Sequence, residues 1–93
     1  MEDSTIIDVR GPDEFSHGHL EGALNFDYES PDFIAKVSNL SKDGEYFVYC
    51  AAGIRAGQAI TQMAELGFLN LSNGGSLEEA SLSSGLPIVS GRS

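Results

Sequence analysis

Short apolar runs rich in β-branched residues alternate along this chain with stretches of helical periodicity, and that alternation constrains the fold more than any other feature. Thr5-Ile6-Ile7-Asp8-Val9 reads as a buried strand, stopped by Gly11-Pro12. Pro12, Asp13 and Glu14 suit the first turn of a short helix that closes near Gly18. Ala23-Leu24-Asn25-Phe26 is a brief second strand. Ser30-Pro31 is read as an N-cap and first helical residue, ahead of an apolar face of Phe33, Ile34, Val37 and Leu40. After the turn Lys42-Asp43-Gly44 comes the run Tyr46-Phe47-Val48-Tyr49. A helical pattern follows through Ala56, Ala59, Ile60, Met63 and Leu66, with Gly67 suited to the left-handed position beyond the helix end. Phe68-Leu69-Asn70-Leu71 is expected as a strand turned by Asn73-Gly74-Gly75. Ser76 and Glu79 form a capping box for a last helix through about Leu82. Gly85 and Pro87 end that helix, and Ile88-Val89 is a final extended segment. The expectation is an α/β fold, a small, mostly parallel sheet flanked by helices on both faces. Ninety-three residues fit one such domain, without a linker or internal repeat.

In sheets of this kind the ligand lies at the carboxyl ends of the strands, and the only cysteine of the chain falls there. Cys50-Ala51-Ala52-Gly53-Ile54-Arg55 joins a strand to a helix through a tight loop. Such a loop aims backbone N–H groups and the positive end of the helix dipole at one point. A thiol at its mouth loses its proton readily, because those donors and a nearby guanidinium stabilise the thiolate. Cys50 is therefore the candidate nucleophile, and Ala51, Ala52, Gly53, Ile54 and Arg55 the candidate substrate-binding loop. A buried cysteine is more often inert core; Gly53, which permits the turn, and Arg55, which brings charge, favour the reactive reading. Arg55 is either a substrate ligand or a brace tying the loop to a carboxylate.

Charge narrows the partners. The formal net charge is −9, which makes nucleic acid and anionic membrane surfaces poor partners; it leaves two readings open, a basic protein partner or acidity that serves solubility alone. No apolar run approaches the ~20 residues that span a bilayer, and Met1-Glu2-Asp3-Ser4 lacks the features of a signal peptide. A cytoplasmic location is expected. A lone cysteine excludes an internal disulfide. His17 and His19, with no cysteine near them in sequence, make a poor metal pair, and a preformed thiolate needs no histidine base. Neither metal nor cofactor is expected. Arg10 and Glu14, four apart, are a candidate ion pair, and Asp8 a candidate holder of neighbouring backbone.

Several blocks in order resemble a rhodanese domain. They are Asp8-Val9-Arg10 with Glu14-Phe15; Gly18-His19-Leu20-Glu21-Gly22-Ala23-Leu24-Asn25; Cys50-x-x-Gly53-x-Arg55 after Tyr49; and Gly67-Phe68 with Gly74-Gly75. The brevity of the chain, and Ala56-Gly57-Gln58-Ala59 after the loop, are most similar to the short, phage-shock type. The resemblance implies a sulfurtransferase. In that chemistry Cys50 takes a sulfane sulfur from thiosulfate or another donor, becomes a persulfide, and passes the sulfur to cyanide or a thiol. A small sulfur-donor anion or persulfide is the implied substrate, a protein sulfur acceptor is compatible with it, and a monomer is expected. For His19 the resemblance implies a structural role. The chain departs from the pattern at three places. It opens almost directly on the Asp8 strand. Ala51 stands where thiosulfate-using members often carry Arg or Lys, which weakens the case for thiosulfate as preferred donor. Ala80 stands about where many relatives place a tryptophan, a packing change.

Two other functions compete. Phosphatases and arsenate reductases with related loops use Cys-x5-Arg, whereas four residues, Ala51 to Ile54, separate Cys50 from Arg55 here. The shorter loop is too small for a tetrahedral oxyanion, and it offers no acid for the leaving group. A non-catalytic binding module is the third reading, and retention of both Cys50 and Arg55 argues against it.

Overall fold

The computed structural model describes residues 4–91; Met1-Glu2-Asp3, read above for the lack of a leader, lies outside the described residues. The elements run β1 (Ser4–Asp8), α1 (Pro12–His17), β2 (His19–Leu20), β3 (Leu24–Asn25), α2 (Phe33–Val37), β4 (Glu45–Tyr49), α3 (Ile54–Glu65), β5 (Asn70–Gly75), α4 (Leu77–Ser84) and β6 (Ile88–Val89). β3, β1, β4 and β5 lie side by side in that order, all parallel. β2 and β6 form a separate antiparallel pair.

Strand alternation divides the core into two layers. Ile7 and Val9 from β1 and its extension, with Tyr46, Val48 and Cys50 from the β4 side, face Phe33 and Val37 of α2 and Ala56, Ala59 and Met63 of α3. Ile6, Phe47 and Tyr49 face the other way, against Phe15 of α1 and Ala80 of α4. Helices thus cover both faces, as expected from the sequence. Full burial of side chains such as Ile7, Val48 and Met63 contributes about 1.5–3 kcal/mol each. Small residues on α3, Ala56 and Ala59, let that helix sit close to the sheet directly behind the cysteine.

Three boundaries differ most from the sequence reading, and His19-Leu20, not read as a strand, is β2. The last long strand is Asn70–Gly75, so Asn73-Gly74-Gly75 finishes the strand instead of turning it. Phe68 turns into the core while Leu69 is 74% exposed. The register slips between Val48, opposite Asn73, and Tyr49, opposite Gly75, leaving Gly74 as the extra residue of a bulge. A Cβ on Gly74 would lie 2.6 Å from the Phe47 ring, so close packing explains that glycine. In the second difference, α2 begins at Phe33 with Asp32 as N-cap. Ser30 Oγ accepts from the Asp32 N–H at 3.2 Å, which places Pro31 in a turn before the helix. Finally, α4 runs through Ser84, with the capping box between Ser76 and Glu79 as read and Gly85 left-handed at its end.

Candidate active site

β4 delivers Cys50 to the carboxyl edge of the sheet, where its N–H donates to the Gly75 carbonyl at 3.0 Å. The residue is 1% exposed. Its Sγ accepts two backbone N–H groups, from Gly53 at 2.9 Å and from Ala56 at 3.3 Å. Both donors belong to the start of α3, so the sulfur sits at the positive end of that helix. The loop closes this tightly because Gly53, the N-cap of α3, takes φ 89°. A side chain there would be strained, and a Cβ would come 3.4 Å from Gly75 Cα.

The candidate loop residues divide by position. Ala51 and Ala52 are exposed, and Ile54 is 69% exposed. Together they make the rim beside Cys50 small and apolar. Ala52, Gly53 and Ile54 form one wall of an open, shallow basin whose other wall is Gly75, Glu79 and Ser83. The Arg55 guanidinium is held by Glu14 in a two-pronged ion pair, with Nη1–Oε1 and Nη2–Oε2 both at 2.9 Å. This is the carboxylate contact that the brace reading of Arg55 calls for. The Arg55 hydrogen bonds, against the upward push of partial burial, hold the Glu14 carboxyl at about 2. Glu14 in turn pushes the Arg55 guanidinium up, with Cys50 and Glu29 adding smaller electrostatic contributions. Glu14 Oε1 also accepts the Gly11 N–H at 3.1 Å, so one carboxylate joins the start of α1 to the start of α3.

The expected Arg10–Glu14 pair is therefore corrected. Arg10 pairs with Asp8 instead, at 2.7 Å, and also donates to the Gly18 carbonyl. Asp8 does hold neighbouring backbone, accepting the Arg10 N–H at 2.8 Å. The reason is topological: Asp8 is fully buried with Arg10 beside it, whereas Glu14 lies on the side of α1 that faces the loop. His19 is buried, stacks on Phe15 at 3.8 Å, and lies 2.8 Å from the Phe15 carbonyl through Nδ1. The carbonyl can only accept, so that nitrogen carries the proton and the ring serves packing. His17 is exposed at the end of α1. No cluster of metal-ligating side chains occurs among the described residues, and no helix among them is long and apolar enough to cross a membrane.

One contributor escaped the sequence reading. Asn73 Nδ2 donates to the Gly53 carbonyl at 3.2 Å while its Oδ1 accepts the Gly75 N–H at 2.8 Å. It links the residue that donates to the sulfur with the residue that anchors the Cys50 backbone. Read as part of a turn, Asn73 gave no signal of this.

Thiosulfate sulfurtransferase PspE of Escherichia coli K12 is 30% identical over 76 residues, covering 82% of this chain and 73% of that protein. Thiosulfate sulfurtransferase 16, chloroplastic, of Arabidopsis thaliana is 34% identical over 77 residues, 72% of this chain and 64% of its own length. A tRNA uridine(34) hydroxylase of Bacillus cereus is 39% identical over 59 residues, only 18% of that protein. Among solved structures, a rhodanese with anions from E. coli superposes with TM-score 0.79 at 30% identity, over 95% of this chain and 99% of that one. A Rhodanese_3-like domain of an Anabaena protein gives 0.80 at 30% identity, over 96% and 94%. The family model of the rhodanese-like domain matches residues 1–78, and the chain belongs to that family.

Proposed function

We propose that this chain is a sulfurtransferase that carries a sulfane sulfur on Cys50. The observation that carries this reading is the pair of N–H groups, from Gly53 and Ala56, directed at Sγ. Donors so placed stabilise the negative charge that the sulfur bears as it attacks and again as it leaves. The thiolate attacks the outer sulfur of thiosulfate or of another sulfane donor. With thiosulfate, the S–S bond breaks, sulfite leaves with the electron pair, and Cys50 becomes a persulfide. Cyanide or a thiolate then attacks the outer sulfur, and Cys50 departs again as a thiolate held by the same two donors. Ala51 to Ile54 form the rim that meets the substrate, and Arg55 fixes the loop through Glu14. A single thiol that must stay reduced fits the cytoplasm. The named activity of the E. coli and Arabidopsis relatives supports the reaction class. The test is thiocyanate production from cyanide and a sulfane donor. Wild type turns over; Cys50→Ser, folded by circular dichroism, gives only the uncatalysed rate. Unchanged production by Cys50→Ser rules out the mechanism.

A further inference from the structure

The charges around the site are unevenly placed. The segments that follow the carboxyl ends of the strands carry Asp13, Glu29, Asp32, Glu78 and Glu79, all exposed. Asp13 begins α1, Glu29 and Asp32 lie between β3 and α2, and Glu78 and Glu79 begin α4. The Cys50 loop emerges among them from β4. Among the described residues the cations are paired or lie elsewhere: Arg10 pairs with Asp8, and Arg55 with Glu14. Lys36 lies in the last turn of α2. Lys42 stands before β4 at the opposite end of the sheet, over the Phe68 ring at 4.6 Å. At the mouth itself the exposed residues are Ala51, Ala52 and Ile54, so contact there is apolar.

We infer that the sulfur partner of Cys50 is a polypeptide whose thiol is flanked by lysine or arginine, docked on this apolar rim with its cations against the surrounding carboxylates. The inference rests on the persulfide reading and names its acceptor. The carboxylates follow strands on both sides of β4 and enter helices on both faces of the sheet, a spread that a several-residue segment matches and a small thiol does not. A phosphate backbone or a dianion meets repulsion there, which sets this site against nucleic acid. The step conserves atoms and electrons: the acceptor thiolate attacks the outer sulfur of the Cys50 persulfide, the S–S bond breaks, and Cys50 leaves as thiolate. The acceptor then holds the persulfide, with its proton on the transferred sulfur.

The test uses three short peptides with one central cysteine, flanked by lysines, by serines or by glutamates. Each peptide's rate is normalised to its reaction with a neutral disulfide, which removes differences in thiol ionisation. The persulfidated protein should discharge to the lysine peptide at least ~10-fold faster than to the glutamate peptide at ~10 mM salt, a size typical of electrostatic steering. The ratio should collapse at ~500 mM, where the screening length has shrunk severalfold. The variant Asp13→Asn/Glu29→Gln/Glu78→Gln should lower the ratio and leave the serine peptide's rate unchanged. Equal rates, or a preference for glutamates, overturn the inference while leaving sulfur transfer intact. Absence of sulfur on Cys50 before any peptide is added instead counts against the persulfide reading. A docking arm decides the inference even then. With Cys50→Ser and the lysine peptide bearing serine for cysteine, amide shifts should move at Ala51, Ala52 and Ile54. Shifts confined to the Lys42 end, or equal shifts with the glutamate peptide, overturn it.

Discussion

Glu14 grips Arg55 through two parallel hydrogen bonds, and this single pair joins α1 to the loop that holds the sulfur. Its contribution to stability is small, below about 1 kcal/mol, because the Glu14 side chain is 42% exposed. Its contribution to geometry is larger. If Arg55 were a substrate ligand, removing Glu14 would leave substrate binding largely intact. As a brace, Arg55 depends on its partner, so Glu14→Gln should reproduce most of the several-fold loss of kcat/KM expected of Arg55→Lys, which keeps the charge but not the fork. Steady-state kinetics on both variants check this. The pH dependence has a definite sign. Glu14 is depressed from 4.5 to about 2 in the folded protein, so its stabilisation is complete above 4.5 and lost as pH falls toward 2. The difference in urea midpoint between wild type and Glu14→Gln should be present at pH 7, shrink by pH 3 and vanish near pH 2. A difference that grows on acidification contradicts the assignment.

At the scale of elements, β5 and the start of α3 hold each other through Asn73 and the close approach of Gly53 to Gly75. Asn73 is exposed, so Asn73→Ala should shift stability little while slowing persulfide formation about 3- to 10-fold, an amount equivalent to ~1 kcal/mol. Asn73→Asp keeps an acceptor for Gly75 and loses the donor to Gly53, and should resemble the alanine variant in single-turnover rate. Gly53→Ala should be worse in both respects, costing about 1–2 kcal/mol at a left-handed position. These contacts show where sequence was informative. The β-branched run of β1, the apolar stripe of α3 and the Ser76–Glu79 box are local patterns, and each stands as read. The loop was legible because cysteine, glycine and arginine fall within six residues. The Glu14–Arg55 pair joins residues 41 apart, and only the fold, which brings Glu14 of α1 to the Cys50 loop, decides it over a local partner. The bulge at Gly74 was hidden too, since Asn-Gly-Gly carries the same signal whether it turns a strand or lets the Phe47 ring pack against it.

For the molecule as a whole, the acidic surface opposes small anionic donors. Thiosulfate turnover at low substrate should rise as inert salt increases from ~10 to ~150 mM, because screening weakens repulsion across that range. Ala51→Arg, on an exposed position of the rim, should raise the rate and flatten or reverse the salt response, whereas an uncharged donor should show neither effect. A steep fall of wild-type activity with salt would mean that the loop dipoles and Arg55 outweigh the net charge of −9. Behind all of this stands one claim, that Cys50 carries the sulfur, and the intact mass of the protein tests it most directly. Incubated with excess sulfane donor and freed of it, the wild type should gain the mass of one sulfur atom and lose it again on addition of cyanide. Cys50→Ser should gain nothing. A wild type that gains no sulfur from any sulfane donor, or a Cys50→Ser protein that gains one and discharges it to cyanide, contradicts the account.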